Sequence, residues 1–165
     1  MISVLASLVL ARPTLQLLLF GIGILALGLL LRGWACGHLN KESQLTTSGP
    51  YRYTRNPLYL GSIIIGIGVT VASRSWWVTG LFALNFLVFY PVAVRKEREI
   101  MQRLFPDAYE EFSRRVPLFL PSWKPNPDAR DKSFSWALYK TNKEYRALWA
   151  SLLFAAILFF KLLGL

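Results

Sequence analysis

The chain has almost no sulfur or imidazole to work with: one cysteine, Cys36, and one histidine, His38, in 165 residues. A disulfide framework needs paired cysteines, and a metal site of soft or imidazole donors needs several ligands, so both are excluded. Cys36 and His38 read as packing and loop residues, and no metal-ligating residues are expected. Charge is scarce and one-sided, at 17% of residues, with nineteen Lys and Arg against nine Asp and Glu. Internal repeats and low-complexity tracts are missing. So is any motif that would turn the net charge of +10 into a nucleic-acid-binding surface. No basic residue precedes the first apolar run and no small-x-small cleavage site stands ahead of the later ones, so a secretory signal peptide is not expected.

Apolar sequence is what the chain has in plenty, at 54% of residues, too much for an ordinary soluble domain. Thr14 to Leu31 is 18 residues without a charge, and Trp76 to Val94 is 19. Ala147 to Leu165 is 19 with only Lys161, close enough to the end to snorkel. Leu58 to Ala72 adds 15 uncharged residues, about 23 Å as helix, a short or partly buried span. Met1 to Ala11 is apolar but cut off by Arg12-Pro13, which makes it an interfacial segment or the first part of a broken helix. The expected fold is all-α: a multi-pass transmembrane protein of about four spans, with a possible N-terminal half-span and a helical segment outside the membrane. The whole of 1–165 is expected to form one domain.

The positive charge is segregated. Arg32, Lys41, Arg52 and Arg55 lie between the first two spans, and twelve more cations lie between Arg95 and Arg146, so sixteen of nineteen fall in two segments. Four spans place both on one membrane face, which the positive-inside rule makes cytoplasmic, most simply that of the cell's inner membrane. Membrane lipids are therefore expected partners, and nucleic acid is not. Trp76 and Trp77 at one end of the third span and Tyr90 near the other have the placement of an aromatic belt. Gly61, Gly66 and Gly68 permit close approach of another helix or of a ligand, and Asn85 reads as interhelical glue.

Two segments carry chemistry. Ser48 to Gly61 reads Ser-Gly-Pro-Tyr-Arg-Tyr-Thr-Arg-Asn-Pro-Leu-Tyr-Leu-Gly, an Arg-rich, Pro-kinked loop entering the second span. Such a loop can hold an anionic group from the aqueous side. In the other, helix continuing past Val94 places Glu97 at the head of a stripe with Ile100, Met101, Leu104 and Phe105. Arg95, Glu99 and Arg103 then share a different, exposed face. Glu97 either faces the protein, partly desolvated and needing a cation or donor, or caps the stripe and points to water. Ala108 to Val116 reads as a short amphipathic helix ending in Arg114-Arg115, and Val116 to Pro121 as an extended strip. Pro121 to Pro127 reads as a surface connector.

Gly49-Pro50-Tyr51, Arg55-Asn56-Pro57-Leu58-Tyr59-Leu60-Gly61, Glu97 eight residues before Phe105, Tyr109 four after it, and Arg115-Val116-Pro117 with Pro121 beyond share a joint spacing. In these positions the chain resembles the isoprenylcysteine carboxyl methyltransferase family and its phospholipid-methylating relatives, over about Ser48 to Pro121. The resemblance implies a multi-pass membrane enzyme that moves a methyl group from S-adenosylmethionine to a lipophilic acceptor arriving from lipid, with residues 147–165 an additional C-terminal span. It implies a donor pocket of Tyr51, Arg55, Asn56, Pro57, Tyr59, Leu60, Gly61 and Glu97. Glu97 would pair with the donor's amino group or sulfonium side, Arg55 would hold its carboxylate, and Arg115 would orient an anionic acceptor. The chain departs from the family in having Asn56 where His is usual and Arg98 where a second acid is frequent. Asn cannot take up a proton at neutral pH, and weight shifts onto Glu97. Two competing readings are a nicotinamide-dependent membrane reductase, from a similar architecture in sterol reductases, and a non-enzymatic scaffold whose basic loops bind anionic lipid.

Overall fold

In the computed structural model, residues 10–40, 44–129 and 132–164 are described. Six α-helices account for the regular structure among them: α1 (Leu15–Cys36), α2 (Pro57–Ser73), α3 (Trp76–Leu104), α4 (Pro106–Arg115), α5 (Trp136–Thr141) and α6 (Tyr145–Leu162). A 3-10 turn, Gly49–Arg52, interrupts the loop between α1 and α2. Three helices, α1, α3 and α6, are long and apolar enough to cross a membrane, and α2 is a shorter apolar helix. The all-helical, multi-pass expectation holds.

The apolar runs become helices because little in them breaks one, and most of the breakers fall at their ends; Pro91 is the exception, lying inside α3. Pro57 opens α2 at its first turn, where a missing N–H costs nothing. Arg74 adopts a left-handed conformation, φ +46, in the turn to α3. The 29 residues of α3 would extend about 43 Å, more than the roughly 30 Å of a hydrocarbon core. Its last ten residues, from Arg95, therefore project beyond the membrane as a charged continuation of the span. Of the expected half-span at Met1 to Ala11, Met1 to Val9 lie outside the described residues.

Helices α1 and α2 pack antiparallel through glycine. A side-chain carbon on Gly21 would lie 2.6 Å from the Ala72 amide nitrogen and the Gly68 carbonyl oxygen. One on Gly28 would lie 2.7 Å from the Gly61 carbonyl, and one on Gly68 2.6 Å from the Leu25 nitrogen. The glycines recur seven residues apart on both helices, so one seam brings the two backbones together along its length. Of the two readings open for Gly61 and Gly68, helix approach is the one observed. Gly66 faces the other way, onto the Phe82 ring of α3.

At the end where α1 begins and α2 ends, Ala11, Leu18, Ala72, Phe154 and Leu158 form a buried cluster, and the Arg12 amide donates to the Ser73 carbonyl at 2.9 Å. At the opposite end α6 is tied to α1 by a charged clasp. Arg32 donates to both carboxylate oxygens of Glu144, at 2.6 and 2.9 Å, and to Ser62 Oγ at 2.6 Å. Glu144 is 6% exposed and also accepts from Cys36 Sγ at 3.3 Å. Asn85 differs from expectation: its side-chain nitrogen donates to the Leu81 carbonyl of its own helix, 2.9 Å away, satisfying itself locally rather than bridging helices.

Candidate active site

The clasp end also carries the cavity, of about 500 Å³, between the 44–62 segment, the charged end of α3 and α4. Its position follows from two short pieces of irregular backbone bound to each other. The Arg55 amide donates to the Pro117 carbonyl at 3.0 Å, Asn56 Nδ2 to the Leu118 carbonyl at 2.9 Å, and Thr54 Oγ1 to the Phe119 carbonyl at 2.8 Å. The Ser122 and Asn126 amides donate to the Tyr53 and Arg52 carbonyls, both at 2.9 Å. The Arg55 loop and the strip after α4 are thus sewn into one wall. Tyr109, Phe112 and Val116 form a buried cluster that carries α4 against Met101 of α3, against Phe105 just beyond it and against Leu45.

Among the expected site residues, Tyr51, Arg55, Asn56, Pro57, Tyr59 and Glu97 line this cavity, and Leu60, Gly61 and Arg115 do not. Gly61 faces away, against Arg32 and Gly28 of α1. The expectation that Arg115 orients an anionic acceptor meets a different geometry. Its guanidinium lies against a neighbouring hollow, paired with Glu111 at 2.8 Å and with Asp128. Its charge is already met by two carboxylates.

The cavity's own charges are arranged differently. Arg55 reaches the Tyr109 hydroxyl at 3.5 Å through Nη1, while its Nε is buried with no partner. A buried, unmatched guanidinium donor costs free energy. Across the cavity, the Tyr59 hydroxyl and the Glu97 carboxylate lie close enough to influence each other. The Glu97 side chain is open to the cavity, yet the walls displace enough water that desolvation pushes its carboxyl above the usual glutamate value, with Tyr59 pulling part of the way back. Glu97 combines the two readings left open for it, lining the cavity while remaining exposed. Burial holds the Tyr51 phenol well above its ordinary value, so it remains a neutral donor.

Asn56 is buried and its amide nitrogen is committed to the wall, so it fixes the loop. Residues that the sequence reading did not assign to the donor pocket also line the cavity: Arg32, Ser62, Arg98, Met101 and Tyr109. Arg32 carried a signal, as the first charge after the first apolar run. Its partner Glu144 lies over a hundred residues away and carried none.

The sequence profile of the phospholipid methyltransferase family matches residues 14–108, more than half of the chain. A cobalt-zinc-cadmium resistance protein of Cupriavidus metallidurans is 34% identical over 63% of this chain and 50% of its own length. A nickel-cobalt-cadmium resistance protein of Alcaligenes xylosoxydans xylosoxydans is 33% identical over 49% of the chain and 38% of its own length. The protein-S-isoprenylcysteine O-methyltransferase of Schizosaccharomyces pombe is 30% identical over 61% of the chain and 48% of its own length. The chain spans about half or less of each of these curated relatives. No solved structure matches it. Among the described residues no group of three or more His, Cys, Asp or Glu side chains is placed to hold a metal ion. A profile match across α1, α2 and α3 into α4, covering the Arg55 loop and Glu97, places the chain in the phospholipid methyltransferase family.

Proposed function

We propose that the chain, acting as one domain, is an S-adenosylmethionine-dependent methyltransferase whose acceptor is lipophilic and whose active site is the cavity between the Arg55 loop and Glu97. The observation that carries the reading is that cavity itself: about 500 Å³, within the range of small-ligand sites, with Arg55 and Glu97, a cation and a carboxylate, both among its lining residues. Family membership supplies the reaction class.

The donor's charges suit the residues. Arg55 offers a cation to a carboxylate and Tyr51 a neutral phenol, while Tyr59 lies on the Glu97 side. Glu97 offers a carboxylate to an ammonium or sulfonium. Bound there, S-adenosylmethionine supplies an electrophilic methyl on positively charged sulfur. Transfer breaks the sulfur–methyl bond and forms one to the acceptor, so an anionic acceptor is neutralised as the donor loses its charge. The residues need only align the two partners and exclude water, which supplies most of the acceleration of such a displacement. An amine or thiol acceptor must also release a proton. Glu97 is the base for that proton, and its raised pKa brings it closer to working pH. The segregation of cations toward this end supports a cytoplasmic active site.

Isothermal calorimetry of the detergent-solubilised full chain with S-adenosylmethionine tests the assignment. Glu97→Gln and Arg55→Ala are each expected to abolish measurable binding. Normal affinity in both variants would defeat it.

A further inference from the structure

The strip after α4 has a composition and a position that methyl-donor binding does not account for. Phe119 packs edge-on to Tyr90 with ring centroids 5.4 Å apart and lies 6.3 Å from Phe86. Tyr59 closes the group at 5.2 Å from Tyr90. Tyr90 and Phe86 are five and nine residues before Arg95, the first charge after the apolar run of α3, which puts them about 7 and 13 Å below it along the helix. Phe119 therefore sits at the depth of the membrane-spanning part of α3, although its own backbone is not helical.

The chain on either side is dressed for lipid. Leu118 and Leu120 are 38% and 72% exposed and Trp123 is fully exposed. Single exposed apolar residues are ordinary, but three large ones within six positions form a patch that water penalises. Non-helical backbone at membrane depth is tolerated only as far as its polar groups are met. The Leu118, Phe119 and Leu120 amides have no protein acceptor among the described residues, which limits how deep the strip can sit. Here the carbonyls of Pro117, Leu118 and Phe119 each accept a hydrogen bond, from the Arg55 amide, Asn56 Nδ2 and Thr54 Oγ1. Pro117 and Pro121 have no N–H to satisfy. Lys124 follows Trp123, the order of an apolar anchor, an interfacial aromatic and a headgroup-level cation.

We propose that Leu118 to Trp123 is a re-entrant loop inserted into the bilayer leaflet on the Arg95 side, with lipid as its partner. Leu120 enters the hydrocarbon and Trp123 rests at the headgroup boundary. Because Leu118 lines the cavity and Phe119 backs onto the Tyr59–Tyr90 pair, this loop is the partition between the cavity and the acyl chains. The inference does not depend on which reaction the cavity performs.

The test uses the full chain in vesicles of phosphatidylcholine and phosphatidylglycerol. A nitroxide at Leu120→Cys in a Cys36→Ser background is compared with one at Asp107→Cys, on exposed α4, for collision with dissolved oxygen and with a water-soluble nickel chelate. Leu120→Cys is expected to show several-fold lower nickel and higher oxygen accessibility than Asp107→Cys; equal nickel accessibility at the two sites would overturn the proposal. Should the Cys36 background fail to fold, the native cysteine is kept and tryptophan emission is measured in brominated phosphatidylcholine. Trp123→Phe is then expected to remove part of the quenchable emission. A quenched fraction that is unchanged or larger in the variant would overturn the insertion.

Discussion

The two faces of α2 have opposite characters. Toward α1 the contact is backbone on backbone, with Gly61 and Gly68 set against Gly28 and Gly21 and no room for a side chain. Toward α3 the contact is made by rings, Gly66 against Phe82 and Tyr59 against Tyr90, and beyond Tyr59 the helices part around the cavity. One face fixes α2 in place so that the other can carry a space. Glycine suits the first because only its absent side chain lets carbonyl and amide groups of neighbouring helices approach. Aromatic and titratable residues suit the second because a cavity wall needs shape and charge.

Gly68→Leu breaks the comparison most severely. Its side chain would meet Leu25 and Gly21 backbone atoms that cannot rotate away. Thermal unfolding in detergent should show a loss at or above the top of the about 1–3 kcal/mol typical of overpacking. Gly23→Ala, with nothing within 4 Å, should leave stability unchanged. Next comes the clasp. Glu144→Ala leaves Arg32 without its carboxylate, and because Arg32 remains 24% exposed the cost should fall near the lower end of the about 3–5 kcal/mol for breaking a buried pair. Chemical denaturation of the Arg32→Ala, Glu144→Ala and double variants would measure their coupling, and independent effects would show that the pair is not a clasp.

A pH series sharpens the cavity side. The Glu97 carboxyl titrates above its ordinary 4.5, so its protonated form is favoured by folding. As pH falls through the raised value, donor affinity should drop while the folded state gains stability from this group. Calorimetry and unfolding across that interval should thus move in opposite directions, and in Glu97→Gln, which has no donor binding to follow, the stability trend should disappear. Smallest is Arg115→Ala. Its pairs with Glu111 and Asp128 are exposed, so stability should change by no more than about 1 kcal/mol and donor affinity not at all. A large loss of methyl transfer to an anionic acceptor, with donor affinity kept, would return Arg115 to the acceptor side of the site.

Much of this was legible in one dimension. Uncharged runs of membrane length demand helices because only helices satisfy their own backbone in lipid, and their ends were readable from Pro57, Arg95 and the charged segments. The stripe headed by Glu97 and the Arg55 loop were legible for the same local reason: helical periodicity and proline geometry act over a few residues. The cavity that joins them was not, since it depends on α4 folding back against α3 and on carbonyls at Pro117 to Phe119 finding donors at Thr54 to Asn56. Arg115 shows the limit. A cation beside the motif is visible in sequence, while the carboxylates that meet its charge are visible only once Glu111 and Asp128 are in place.

By itself, then, the sequence determined how many apolar helices form, which ends carry charge and which two segments hold polar chemistry. Tertiary structure alone decided which face of each helix meets its neighbour, that Glu144 joins Arg32, and that the strip beyond α4 packs on Phe86 and Tyr90 of α3. Hydrogen bonding and hydrophobicity along a helix are local, whereas partners distant in sequence meet only through packing of the whole chain.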